Sequence, residues 1–306
     1  MTETAMVQTK SRVKTRRRFN WRQQVTAYLF LAPALIIFAL VTWYPTLQTV
    51  LFSFQNVGLK GSQGWVGVQN YVRMLGNPDF VTAWKNTFGF VSLSIVLGLL
   101  VPVALAIMIN EMRRLSQVFQ MIIYLPALIP EAVALLVWRL IYHPEGGVLN
   151  SLLKLGGIPP QLWLQNPDLA KPAMVVIMTW IGAGGSTLIY LSALREIPTE
   201  VIEAAELDGF SPWQRIVHIF MPLLTSRIQL MLVLQIIFVA QVFTQPFILT
   251  QGGPAKSTTT PVLEIYNAAF VRSDFGLASA WGVSMLVILS VFAVLSVILR
   301  KEEVYK

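Results

Sequence analysis

Three carboxylates, Glu203, Glu206 and Asp208, fall within six consecutive residues of a chain in which only 12% of residues are charged. The chemistry open to them is acceptance: an ionised carboxylate takes hydrogen bonds from cationic or amide donors. Ala204 and Ala205 between them leave room for another backbone or a groove wall to come close. Covalent chemistry has no comparable foothold. The 306 residues hold no Cys and two His, at 143 and 218, which removes a disulfide framework and a thiolate site and leaves no histidine cluster for a metal. No grouping of His, Asp and Ser suggests an activated nucleophile, and no G-x-x-x-x-G-K-[ST] phosphate loop occurs. No residue is assigned a catalytic or metal-binding role.

The elements that must position the acidic stretch follow from apolar content. The chain is 55% hydrophobic, whereas a soluble domain carries about 25% charged residues. Crossing the hydrocarbon takes about 20 mainly apolar residues, and six stretches qualify: 25–45, 87–109, 119–142, 172–194, 223–249 and 277–299. The expected fold class is an all-α membrane protein of six transmembrane helices, with a basic segment over 1–24, a membrane domain over 25–300 and a tail over 301–306. The net charge of +8 does not point to nucleic acid, because Lys10, Arg12, Lys14, Arg16, Arg17, Arg18 and Arg22 concentrate it before the first span. With that end inside, inner segments hold fifteen Lys and Arg against seven outside, so both termini are expected in the cytoplasm. The acidic stretch then occupies the second cytoplasmic loop.

Local signals shape that loop. Thr199–Leu207 reads as a short helix after Pro198, and Asp208-Gly209 as its stop, since Gly accepts the left-handed conformation. Ser211-Pro212 reads as an N-cap with Pro at the first helical position. Two short helices joined at a bend, parallel to the membrane, are expected. A lipid-resting helix would bring Lys and Arg to the anionic leaflet. Glu200, Glu203 and Glu206 suit a protein partner better.

The loop over 199–222 resembles the EAA loop of ABC importer permeases: Glu203, Ala204, Ala205, Gly209, Ile219 and Pro222 stand in register, with Met221 in place of the usual Leu. Ile248-Leu249-Thr250-Gln251-Gly252-Gly253-Pro254, followed by Thr258-Thr259-Thr260, is similar to the LTxGGP…T element of the sugar-type permeases. Val66-Gly67-Val68-Gln69-Asn70-Tyr71 with Asn86-Thr87, and Leu125-Pro126, Pro130, Trp138, Pro144, Gly147 and Asn150, match other parts of that pattern. The resemblance implies a type I permease subunit of a carbohydrate importer, multi-pass in the bacterial cytoplasmic membrane. It also implies a second homologous permease, two copies of a cytoplasmic ATPase carrying ATP and magnesium, and an extracytoplasmic sugar-binding protein. The chain itself is expected to bind no cofactor. Within the loop, Glu203 is expected to meet donors on the ATPase, Asp208 to cap or brace the bend, Gly209 to permit it, and Pro222 to mark the passage into span five.

Candidates for the substrate path are Trp180, Gly182, Gly185 and Tyr190 on span four and Gln241 and Gln245 on span five. The glycines could instead serve close helix packing. The two glutamines, four apart, are expected on one helical face, either bonding sugar hydroxyls or bonding between helices. Glu131 and Arg139 are the charges within the spans, read as path residues or as structural partners of neighbouring helices, with Arg139 able to snorkel toward the outer interface. A neutral, hydroxyl-rich cargo fits this wall. The alternatives are a polyol phosphate such as glycerol 3-phosphate, which needs cations near the path, and an ion-driven secondary transporter, which needs coupling carboxylates.

Overall fold

The computed structural model describes residues 21–112 and 114–304. Most of the expected basic segment, Arg113 and the end of the expected tail, 305–306, lie outside the described residues. The chain divides into two compact units, Met1–Gln48 and Thr49–Lys306, and the packing below belongs to the second. Among the described residues, five helices are long and apolar enough to cross a membrane. These are Gln24–Phe52 (span one), Pro78–Glu111 (span two), Pro167–Arg195 (span four), Pro212–Val239 (span five) and Phe275–Ile298 (span six).

Spans two and four begin alike. Asn77 and Asn166 cap them, accepting from the amides of Asp79 (2.9 Å) and Asp168 (2.8 Å), and Pro78 and Pro167 occupy the first helical position, where no amide hydrogen is needed. These two helices make the most extensive pairing in the molecule. Between spans two, four and five, Val103, Ala106, Ile109, Tyr190, Leu191 and Leu224 form one core cluster. Phe90, Leu135, Met174, Ile177 and Val242 form another.

Two expected spans are broken. The stretch over 119–142 is not one helix: Ser116–Leu128 and Glu131–Ile141 meet at a bend of 98°. Pro130 explains the break, because its ring drives Ile129 into extended backbone (ψ 129°) and its nitrogen has no hydrogen to return to the preceding turn. Together the two pieces can count as span three. The stretch over 223–249 likewise stops at Val239, and a separate helix runs over Thr244–Leu249. Pro246 cannot donate to the carbonyl of Val242, which instead accepts from the Thr260 hydroxyl at 2.9 Å.

Pro222 has the opposite outcome. A five-residue π turn over Ile216–Phe220 directly precedes Met221-Pro222 and takes up the missing hydrogen bond, so the helix continues through the proline. The expected second short helix is therefore the first turn of span five, and Pro222 marks no boundary. Outside the helices, Gln55–Gly58 and Gly61–Trp65 form an antiparallel hairpin. Asn70 ties it down by donating to the carbonyls of Ser53 (3.0 Å) and Gln55 (2.9 Å).

Candidate functional site: an acidic elbow and a cavity between helices

The elbow is built almost entirely from backbone. Helix Thr199–Leu207 ends with the Phe210 amide donating to the Ala205 carbonyl (2.9 Å) and the Gly209 amide to that of Glu206 (3.1 Å). This double closure requires a left-handed residue between them, and Gly209 supplies it at φ +78°. A Cβ on Gly209 would meet nothing within 4 Å, so the position is restricted by conformation and not by crowding. The chain then enters span five through a reciprocal cap: Ser211 Oγ accepts from the Gln214 amide at 3.3 Å, and Gln214 Oε1 from the Ser211 amide at 2.8 Å. Asp208, expected to cap or brace the bend, is the C-cap residue of this helix, its backbone amide donating to the Ala204 carbonyl at 2.9 Å, while its side chain takes no part in these bonds.

The three acids are not equivalent. Glu206 is held by Arg215, Nη1 to Oε1 at 2.5 Å, and the same guanidinium reaches Glu111 at 3.2 Å. Glu206 is thus neutralised within the chain. Glu203 stands exposed, with no ion-pair partner among the described residues. Leu207, 90% exposed, and Trp213, 71% exposed, lie close to it in sequence on the elbow. Of the two alanines only Ala204 is exposed; Ala205 is buried, and Ile202 of the same helix packs against the core behind. His218 lies in the π turn, its Nδ1 3.0 Å from the Gln214 carbonyl oxygen.

A cavity of about 470 Å³ opens between spans two, four and five. Gly182, Tyr190 and Gln241 line it together with Ser94, Gly98 and Gln235. Ser94 and Gly98 carry no signal in the sequence, and Gln235 little. Their roles come from pairing across helices: the Gln235 amide donates to the Ser94 carbonyl oxygen, and Gly98 lies so close that any side chain there would collide with that amide. The remaining candidates lie elsewhere. Trp180 packs edge-on against Trp138, ring centroids 5.6 Å apart, and lines a separate apolar cleft with Pro126 and Ile123. Gly185 does not border the cavity. The tight packing glycine is Gly184, where a Cβ would stand 2.5 Å from the Ile123 carbonyl oxygen. Gln241 and Gln245 do not share a helical face, because the break after Val239 separates them. Gln241 bonds back to the Ile237 carbonyl (2.9 Å), while Gln245, buried, donates to Glu131 at 2.6 Å. Glu131 therefore pairs with Gln245 and not with Arg139, which borders a polar cleft with His143, Glu145 and Gln165. Among the described residues, no group of three or more His, Asp or Glu is placed to hold a metal ion.

Over residues 94–301 the sequence matches the family described as binding-protein-dependent transport system inner membrane component. The chain belongs to this family of transport permeases. The permease is similar to the arabinooligosaccharides transport system permease protein AraP of Bacillus subtilis, 30% identical over 285 residues, 90% of each chain. It is similar also to the lactose transport system permease protein LacF of Rhizobium radiobacter, 32% identical over 296 residues, 94% of this chain and 96% of the relative. Its fold matches a chain of the bacterial alginate ABC transporter solved in complex with an alginate pentasaccharide-bound periplasmic protein. The TM-score is 0.80 at 25% identity, covering 90% of the permease and 93% of that chain.

The residues that carried the family resemblance hold the permease's loops. Asn86 donates to the carbonyls of Lys256 (2.7 Å) and Thr259 (2.9 Å) and accepts from Lys171 (3.0 Å). Lys256 pairs with both oxygens of Asp79 at 2.6 and 2.8 Å. Asn150 gathers the loop after helix Glu131–Ile141, bonding the carbonyls of Pro144 and Gln161 and the Trp163 indole. Asn86 and Asn150 thereby satisfy backbone carbonyls that a loop leaves unpaired.

Proposed function

We propose that this permease is the translocation subunit of an ABC importer for a neutral sugar or oligosaccharide, driven by a separate ATPase that grips the acidic elbow. The carrying observation is Glu203: an exposed carboxylate without an ion-pair partner among the described residues, near Leu207 and Trp213 in sequence, on an elbow whose inner face is packed against the helix bundle. Large exposed apolar side chains beside an unpaired charge mark a docking surface. In this reading the elbow and both termini face the cytosol of a bacterial cell, as the distribution of Lys and Arg favours.

Two copies of the ATPase carry ATP and magnesium. A second, homologous permease completes the path, and an extracytoplasmic binding protein delivers the cargo to the opposite side. The permease performs no covalent step. Its part is to pass closure of the ATPase pair to the helices around the cavity, so that the cavity faces each side in turn. The periplasmic protein bound to the alginate transporter supports the delivery arrangement.

The sugar class rests on the lining. Gln235, Gln241, Ser94 and Ser186 offer uncharged donors and acceptors, and Tyr190 an aromatic ring, around the cavity. Hydroxyl-rich ligands match such groups. A polyol phosphate would call for cations there, and Arg139 borders a different cleft. The relatives named for arabinooligosaccharides and lactose favour the same class. The test is uptake of a labelled arabino-oligosaccharide and of lactose into liposomes holding the assembled complex. ATP-dependent accumulation that survives collapse of the proton gradient is expected; accumulation that follows the gradient and ignores ATP would overturn the proposal.

A further inference from the structure

Behind the elbow one guanidinium joins three elements. Arg215, in the first turn of span five, places Nη1 2.5 Å from Glu206 of helix Thr199–Leu207 and Nη2 3.2 Å from Glu111, the last residue of span two. Its side chain is 12% exposed, against 54% for Glu206 and 43% for Glu111. Separate nitrogens make the two contacts, so they can hold together, and the planar fork fixes their relative direction. Other links at this end are simpler. Arg195 donates to the Ser116 hydroxyl at 2.9 Å, and Arg227 lies 3.6 Å from Glu196 in an exposed pair.

We propose that Arg215 is a strut: a positioning residue that carries displacement of the helix Thr199–Leu207 into span two as well as span five. The inference rests on the coupling role proposed above. Covalently, that helix reaches span five only through the bend at residues 208–211, and reaches span two by no short route. A turn closed by backbone bonds around a glycine resists rotation weakly. Arg215 spans it, and its second arm ends on span two. That connection matters because span two contributes Ser94 and Gly98 to the cavity, and span five contributes Gln235 and Gln241. With the strut in place, a push on the elbow moves both walls. Without it, the elbow can move while span two stays behind.

The burial pattern indicates which variants isolate the strut. Removing Arg215 leaves two half-exposed carboxylates that water can solvate, whereas removing both acids would strand a largely buried cation. Arg215→Gln and Glu111→Gln are therefore the informative changes. Glu111 sits on span two, away from the exposed face of the elbow, so loss of ATPase docking would not account for its effect.

The chain has no Cys, so one introduced thiol reports cleanly. In a Ser186→Cys background, the full complex with its ATPase is placed in liposomes, and labelling of the cavity by a membrane-impermeant maleimide is measured with and without ATP. The ATP-dependent change in labelling rate is expected to fall about tenfold in Arg215→Gln and in Glu111→Gln, within the range typical of site-to-site coupling. ATP hydrolysis and ATPase co-purification are expected to persist. A parent-like ATP response in both variants overturns the strut. Should either variant lose the ATPase altogether, the exchange Glu111→Arg with Arg215→Glu decides: a regained response supports the strut, and its absence overturns it. Glu203→Lys separates the two levels. If that variant alone abolishes the response, the elbow couples without a strut; if it responds like the parent, the coupling reading itself falls, and the strut with it.

Discussion

The elbow and the cavity are built on different principles. At the elbow, the turn itself is set within a few residues: Gly209 turns the chain, Ser211 and Gln214 cap the next helix, and Glu206 meets Arg215 nine residues on, while the second arm of Arg215, to Glu111, is a long-range contact. At the cavity, neighbours come from residues 94–98, 178–190 and 231–241, and no local pattern says which side of each helix turns inward. The elbow is therefore specified by short-range chemistry that tolerates changes elsewhere. The cavity depends on how helices cross and where they break. Substitutions should accordingly act at the elbow by removing one function and at the cavity through packing or shape.

The strongest contrast is expected from Glu203→Lys. Reversing an interfacial charge costs about 3 kcal/mol or more, which corresponds to at least a hundredfold loss of ATP-driven uptake. Membrane insertion and thermal stability of the chain should stay unchanged, since Glu203 has no ion-pair partner among the described residues. Next in size is Gly184→Val. Its Cβ would press on the backbone of Ile123 and Tyr124, and overpacking of this kind costs about 1–3 kcal/mol or more. A thermal melt of the detergent-solubilised chain should show the loss, before any measurement of transport.

Gly182→Val and Gly185→Val then sharpen the assignment of the path. Neither glycine has an atom within 4 Å of its Cβ position, so both variants should fold. Only Gly182 borders the cavity; uptake should fall about tenfold there, as roughly 1.4 kcal/mol of steric cost would give, and stay near parental at 185. The smallest effect is expected of Gly209→Ala, where the left-handed conformation costs an L-residue about 1 kcal/mol. Its melt should shift by a few degrees, with uptake reduced and not abolished.

Legibility in the sequence followed the same division. The apolar runs located the five long helices and the bent pair that can count as a sixth span, and the cap residues at Asn77, Asn166 and Ser211 lie where short polar side chains precede proline. The errors over where helices break share one cause. Pro130, Pro222 and Pro246 look alike in sequence, yet the first stands at a bend of 98°, the second is absorbed by a π turn and the third lies in the first turn of a new helix. Which outcome holds depends on whether another group takes the orphaned carbonyl, as Thr260 does for Val242. That partner is 18 residues away. The misplacement of Gln245 follows directly, because a four-residue spacing implies a shared face only on an unbroken helix. Gly182, Gly184 and Gly185 are likewise indistinguishable until the helix opposite is in place.

The central claim is that an ATPase grips the elbow, and Leu207 offers the most direct access to it, being almost fully exposed beside the bend. In a chain otherwise free of thiols, Leu207→Cys can be joined to a Cys placed in the groove of the candidate ATPase and the complex oxidised. The account predicts a disulfide-linked pair of permease and ATPase whose yield changes when ATP is added. No cross-link to any ATPase position, with the Cys labelled by an impermeant maleimide from outside intact cells, would contradict it.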